Sequence, residues 1–190
     1  TMADSFLRLI ERETEHARAG RKSGIIVKVN GLLERPTIEA LYTASQAGVE
    51  IDLIVRGMCS LRPGVKGLSE RIRVRSIVGR YLEHSRIFSL VNGGEPEIYC
   101  GSADWMARNL HERCEVVFPI KDQALAKRLR DEILASYLKD NVKARLLQPD
   151  GEYVRAAHDG KPFNAQEHLM SLAQGPGEVD AATVSPVKKP

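Results

Sequence analysis

The sequence predicts an α/β domain built on a strand–helix–strand crossover, and three observations carry that prediction. Residues 24–30 (GIIVKVN) and 49–55 (VEIDLIV) are short β-branched runs with apolar residues on consecutive positions, the pattern of strands covered on both faces. Between them PTIEALYTASQAG has helical spacing, with Pro36 in the first turn and Gly48 as a stop. Strand, helix and strand in that order close as a right-handed parallel crossover, and 190 residues supply one good core and a short appendage.

Each element follows from local pattern. Residues 3–18 put Phe6, Leu9, Ile10 and Glu13 at helical spacing, with Asp4 or Ser5 to cap them and Gly20 to end the run. After the second strand comes an aperiodic stretch, 56–70, with Gly57, Gly64 and Gly67; a loop of that length in a compact domain is functional or mobile. Residues 72–77 return to strand, 88–92 and 97–100 form a hairpin through Asn92-Gly93-Gly94, and 114–120 read as a further strand. Residues 105–109 form a short helix with Asp104 as its cap and Trp105 in the core. Residues 122–138 are an amphipathic helix whose stripe is Leu125, Leu129, Ile133, Leu134 and Leu138. A small hairpin turns at Pro149-Asp150-Gly151, and 164–172 form a last short helix. The domain is thus expected over 1–172, with 173–190, rich in Pro, Gly and charge, as a disordered tail.

At 43% hydrophobic and 28% charged the chain has the composition of a soluble globular protein, and no apolar run approaches the ~18 residues of a membrane span. The amino terminus lacks an apolar signal core, so a cytoplasmic location is expected. Cys59, Cys100 and Cys114 have neither C-x-x-C spacing nor a histidine at zinc-ligand distance, which predicts reduced thiols packed near the core. A net charge of +3 is too small to draw nucleic acid by itself, but its distribution is uneven. Between Arg56 and Arg86 eight basic residues face two acidic ones, a local +6, so the remainder of the chain sums to −3.

That basic stretch contains the residues suited to phosphate chemistry. Arg56 directly follows the apolar strand 49–55, and the crevice at the carboxyl ends of such strands is where α/β sheets bind ligands. A guanidinium there holds phosphate oxygens bidentately, although a surface loop arginine fits the position too. His84 in YLEHSR lies four residues after Arg80 and two before Arg86, a setting in which a neutral imidazole attacks phosphorus or relays a proton, with Glu83 or another carboxylate to orient its ring. Gly101-Ser102-Ala103-Asp104 is a small-residue loop whose amides suit an anion at a helix start, with Arg108 and Asn109 as further donors. His16, His111, His158 and His168 are expected to be solvent exposed. No G-x-x-x-x-G-K-[ST] loop and no G-x-G-x-x-G after a strand occur, which excludes a Walker-type nucleotide site.

The stretch IVRGMCSLRPGVKGLSERIRVRSIVGRYLEHSRIF, with GSADWMARNLHERCEVVFPI and KPFNAQEHLM behind it, resembles the carboxy-terminal catalytic region of bacterial polyphosphate kinases over about residues 6–170. The resemblance implies a phospholipase D-like α/β domain, a mixed and largely parallel sheet flanked by helices. It implies the second of two such catalytic halves, the first of which carries a histidine that is phosphorylated. By position, Arg56 in IVRG corresponds to the arginine that contacts nucleotide phosphate, and His84 in LEHSR to the second active-site histidine, which also contacts the ATP phosphates and assists transfer as an acid or base. ATP or ADP and polyphosphate are the implied substrates, Mg2+ the implied cofactor with its ligands on polypeptide outside this chain, and the remaining domains the implied partners. A homo-oligomer, with membrane association, is expected at full length. On this reading Thr1 is a cloning remnant before Met2, and the chain alone is inactive.

Two alternatives remain open to the residues. One is a phospholipase D-like diesterase or nuclease with one histidine per subunit, although the H-x-K, x4, D, x6, G-S-x-N spacing fails: Arg86 replaces the lysine, Val91 the aspartate, and Gly101 falls three residues late. The other is a non-catalytic module that binds polyphosphate or another anion.

Overall fold

A computed structural model of the chain describes residues 1–157 and 160–174. Thr1, rather than Asp4 or Ser5, opens the first helix, α1 (Met2–Arg18): its hydroxyl accepts the Asp4 amide while the Asp4 carboxylate returns to the Thr1 backbone, a reciprocal capping box. Strand β1 (Ile25–Val29), helix α2 (Arg35–Gln46) and strand β2 (Ile51–Val55) form the expected crossover, with Pro36 in the first turn of α2 and the Glu34 carboxylate capping it at the Thr37 amide. Strands β1 and β2 run parallel, and β3 (Ile72–Ile77) extends that parallel core.

The other pairings are antiparallel. Strands β4 (Arg86–Leu90), β5 (Glu97–Gly101) and β6 (Val117–Pro119) add beyond β1, and β7 (Ala144–Leu147) and β8 (Tyr153–Arg155) add beyond β3. The order across the single eight-stranded sheet is β6-β5-β4-β1-β2-β3-β7-β8. The mixed α/β sheet is as anticipated, but only β1–β2 and β2–β3 are parallel, so it is not largely parallel. Short turns reverse the chain from β4 to β5 and from β7 to β8, while β4, β6 and β7 join β1, β5 and β3 in the antiparallel sense after longer connections.

Both faces of the centre are covered because β1 and β2 are apolar on both. Ile25, Val27, Val29, Ile51, Leu53 and Val55 face α1 and α2, where Phe6, Phe88 and Trp105 form an aromatic cluster with ring centroids 4.6 to 5.7 Å apart. The opposite face carries Ile54, Ile77, Ile87 and Ile98. It is covered by one continuous helical stretch, α3 (Gln123–Arg128), a π-helical turn (Leu129–Leu134) and α4 (Ala135–Lys139), and by α5 (Ala165–Gln174). On the stripe expected for that helix Leu134 is fully buried and Leu129, Ile133 and Leu138 pack partly, but Leu125 is exposed. The π turn inserts a residue's worth of rotation and swings the first turn out of line with the rest.

Other expectations are adjusted. The loop 56–70 is tied down: the Tyr42 hydroxyl accepts the Arg62 amide, the Arg62 guanidinium donates to the Pro149 carbonyl, and buried Ser69 bridges Arg62 and Val65. Cys59 and Cys100 pack against the two cores, and burial pushes both thiols up, whereas Cys114 is exposed because its strand starts only at Val117. The predicted tail overlaps α5 at Ala173 and Gln174, and 175–190 lie outside the described residues. Among the described residues no helix is long and apolar enough to cross a membrane.

The aromatic cluster locks α1 onto the sheet. Phe88→Ala is expected to lower unfolding stability by about 3–5 kcal/mol, read as a reduced urea midpoint at unchanged slope.

Candidate functional site

Three loops meet at the carboxyl ends of the parallel strands. Leu32, beyond β1, bridges Cys59 beyond β2 and Trp105 beyond β5, and the Leu33 and Glu34 amides both donate to the Trp105 carbonyl at 2.8 and 3.0 Å. Gly57 makes the close approach possible, since a Cβ there would stand 2.9 Å from the Asn30 carbonyl oxygen. Asp104 fastens the platform. Its carboxylate accepts the Asn30 amide at 2.6 Å and both forks of Arg86, at 3.2 Å from Nε and 2.9 Å from Nη2. Burial alone would raise the Asp104 pKa; the Arg86 guanidinium and the Asn30 amide outweigh it and hold the group below the ordinary carboxylate value.

Arg56 leaves the end of β2 on this edge, and His84 stands on the loop that leads into β4. The two are tied to the same short segment: Arg56 Nη1 donates to the Glu83 carbonyl, and Arg86 Nη1 donates to the His84 carbonyl at 2.8 Å. The His84 side chain is exposed and Arg56 is half-buried, and the Glu83 carbonyl links the Arg56 guanidinium to the segment that carries His84. Glu83 turns inward. Its carboxylate lies 3.3 Å from Lys28 Nζ and accepts the Tyr137 hydroxyl at 2.7 Å, while Lys28 Nζ also sits 4.7 Å from the centre of the Tyr137 ring. Glu83 therefore does not orient the His84 ring; its side chain is engaged beneath it.

The sequence singled out Arg56 and His84 as candidates, which the fold brings to neighbouring segments, and did not mark the buried Lys28 and Tyr137 beside them. Lys28 is 2% exposed on the central strand, and its desolvation lowers its pKa against the opposing pull of Glu83. The signal was one lysine inside an otherwise apolar strand, IIVKV. Tyr137 lies near the end of an amphipathic helix and carried no comparable mark; burial and the Glu83 carboxylate push its phenol up.

The basic stretch is less basic in space than in sequence. Arg71 and Arg73 pair with Glu50 and Asp52, Arg86 pairs with Asp104, and Arg75 donates to the Tyr137 and Leu138 carbonyls at the end of α4. The loop 101–104 also departs from the anion cradle expected of it. The Ser102 amide donates to the Val116 carbonyl, the Trp105 amide to the Gly31 carbonyl, and the Ser102 hydroxyl to Glu115, which Asn109 also holds at 2.6 Å. Asp104 caps no helix, because the following helical turn, Arg108–Glu112, starts only after Ala107. Trp105 is buried as expected. His16 accepts from Arg21 at 2.8 Å and His168 packs on Phe163, so both are half-buried; His111 is exposed and reaches Glu34, and His158 lies outside the described residues. The nuclease spacing is not assembled either, since Val91 follows the far end of β4 from His84.

Fold and edge together define an α/β domain presenting an arginine and a histidine at the carboxyl ends of its parallel strands. The description "Polyphosphate kinase C-terminal domain 2" matches residues 1–166, and the chain belongs to that family. It is 52% identical to the polyphosphate kinase of Paraburkholderia phytofirmans over 90% of this chain and 25% of that protein, and 59% identical to that of Neisseria gonorrhoeae over 87% and 24%. The solved polyphosphate kinase of Porphyromonas gingivalis superposes at a TM-score of 0.86 with 42% identity, over 92% of this chain and 27% of that one. The chain thus spans about a quarter of the length of the relatives it matches.

The depressed Asp104 carboxyl contributes stability that is present above its unfolded value of about 3.9 and lost as pH falls through its lower folded value. The urea midpoint is expected to drop below about pH 4, and the Asp104→Asn variant to show a flatter profile over that range than the parent.

Proposed function

We propose that this chain is one catalytic half of a polyphosphate kinase, which moves the terminal phosphate of ATP reversibly onto polyphosphate. The reading rests on family membership and on one observation above all: the Arg56 guanidinium is tied to the carbonyl of Glu83, the residue next to His84, whose own carbonyl accepts from Arg86. Phosphoryl transfer asks little of a protein beyond alignment and charge neutralisation, and these two side chains suit those tasks.

In this scheme Arg56 binds the phosphate oxygens of ATP. One of its nitrogens is engaged by the Glu83 carbonyl, which fixes the plane of the guanidinium for the rest of the fork. A histidine nitrogen on the preceding half attacks the terminal phosphorus, the bond to the bridging oxygen breaks, and ADP departs. The phosphoryl group then passes to a terminal oxygen of polyphosphate. His84 contacts the ATP phosphates and supplies or removes a proton at the bridging or attacking oxygen, a task suited to an imidazole, whose two ring nitrogens can donate and accept. The phosphohistidine itself belongs to polypeptide outside this chain.

Mg2+ neutralises phosphate charge in such reactions. Its ligands are proposed to lie on polypeptide outside this chain; among the described residues no three His, Cys, Asp or Glu side chains converge. A cytoplasmic, oligomeric parent enzyme with membrane association completes the proposal.

Two outcomes test it. The 190-residue chain alone is expected to make no polyphosphate from ATP, measured by labelled-phosphate incorporation; synthesis by the fragment would overturn the scheme. In the parent enzyme, His84→Ala is expected to keep nucleotide affinity within a few-fold and to lower turnover by about 10²–10⁴-fold. Arg56→Ala is expected to weaken nucleotide binding by about tenfold or more, in line with the ~1.5–3 kcal/mol of a charged hydrogen bond. Loss confined to affinity in both variants would favour a binding module instead.

A further inference from the structure

The buried group beneath the site has no part in the scheme above, yet it is built at a cost. A lysine on the central strand is almost wholly removed from water, which is tolerated only with a counter-charge in place. Glu83 provides it from the loop, and the same carboxylate takes the Tyr137 hydroxyl from α4. The Glu83 backbone carbonyl takes Arg56 from the end of β2. One residue thereby joins β1, β2 and α4, and the next residue in the chain is His84.

We infer that Glu83 is a positioning residue: its inward carboxylate, held by Lys28 and Tyr137, sets the backbone that carries His84 and anchors the Arg56 guanidinium. Geometry supports the direction of the effect. Among the described residues Lys28 and Tyr137 hold the carboxylate inward, and the carbonyl that receives Arg56 belongs to the same residue, so release of the one is expected to loosen the other. The Arg86 contact to the His84 carbonyl would remain, because Arg86 is fixed separately by Asp104. Glu83 therefore controls Arg56 more strongly than it controls the His84 ring. Lys28 and Tyr137 act one step further away, through Glu83.

The inference rests on Arg56 and His84 being the reacting pair, so its test uses a readout independent of phosphoryl transfer. The probe is NMR of the Arg56 guanidinium and the His84 ring in this 190-residue chain, at a temperature where every variant is folded by its amide spectrum. In Glu83→Ala the Arg56 Nη1 protons are expected to exchange with water at least tenfold faster than in the parent, while the backbone amides of β1 and β2 keep their protection. Glu83→Gln, which still accepts the Tyr137 hydroxyl, is expected to fall between the two, and Tyr137→Phe to show a smaller change of the same kind. Should Glu83→Ala fail to fold, the Glu83→Gln and Tyr137→Phe pair carries the test alone. A lower melting temperature with unchanged Arg56 exchange in these variants would overturn the inference and leave Glu83 merely structural. If Arg56 exchange responds but Arg56→Ala and His84→Ala leave turnover of the parent enzyme intact, the proposed function fails and the tether stands.

Discussion

Burying the Lys28 ammonium in the middle of the sheet is the constraint from which the site follows. Every other fully buried position of β1 and β2 is apolar, so their burial is favourable and undirected. Lys28 is different because its charge has to be met from a particular direction. Glu83 meets it, and the loop between β3 and β4 is thereby fixed with its carboxylate down and His84 up. Arg56, leaving β2 beside β1, then finds the Glu83 carbonyl within reach. A hydrophobic residue at position 28 would pack as well, but it would place no demand on that loop.

A second carboxylate stabilises the opposite flank. Asp104 draws the ends of β1 and β5 together and holds Arg86 in a two-pronged pair, so the residue on the far side of His84 is fixed as well. The histidine is therefore presented between two ion pairs on different strands, one deeply buried and one nearly so. Paired charges of this sort contribute little net stability, since desolvation cancels much of the attraction, but they define geometry sharply. That is the property the proposed phosphate-binding role of this edge calls for. The aromatic cluster and the two apolar layers supply the stability, and the ion pairs supply the placement.

The strand–helix–strand crossover was legible because β-branched runs and a proline-started helix are local signals. The place of Arg56 at the end of β2 was legible for the same reason, as the first polar residue after an apolar strand. The dominance of antiparallel pairings was not, because strand direction depends on which edges the hairpins join. The basic stretch misled for a related reason: Glu50 and Asp52 lie over twenty residues before Arg71 and Arg73 in sequence but opposite them in the sheet, and Asp104 is eighteen residues after Arg86. Loop 101–104 looked like an anion cradle because small residues leave amides open in principle, whereas the Val116 carbonyl already engages the Ser102 amide and the Gly31 carbonyl that of Trp105 just beyond. Lys28 was visible as an oddity in an apolar strand, but its partner came from a loop fifty-five residues away and could be known only from the fold.

The claim that the Lys28 charge dictates the position of the Glu83 loop is tested most directly by a double-mutant cycle on the chain's unfolding free energy. Lys28→Met and Glu83→Gln are each made alone and then together. If the two charges depend on one another, the double variant is more stable than the sum of the single losses predicts, with a coupling of at least about 1 kcal/mol. Losses that add to within about 0.3–0.5 kcal/mol would show that the two residues are independent, and would contradict the account.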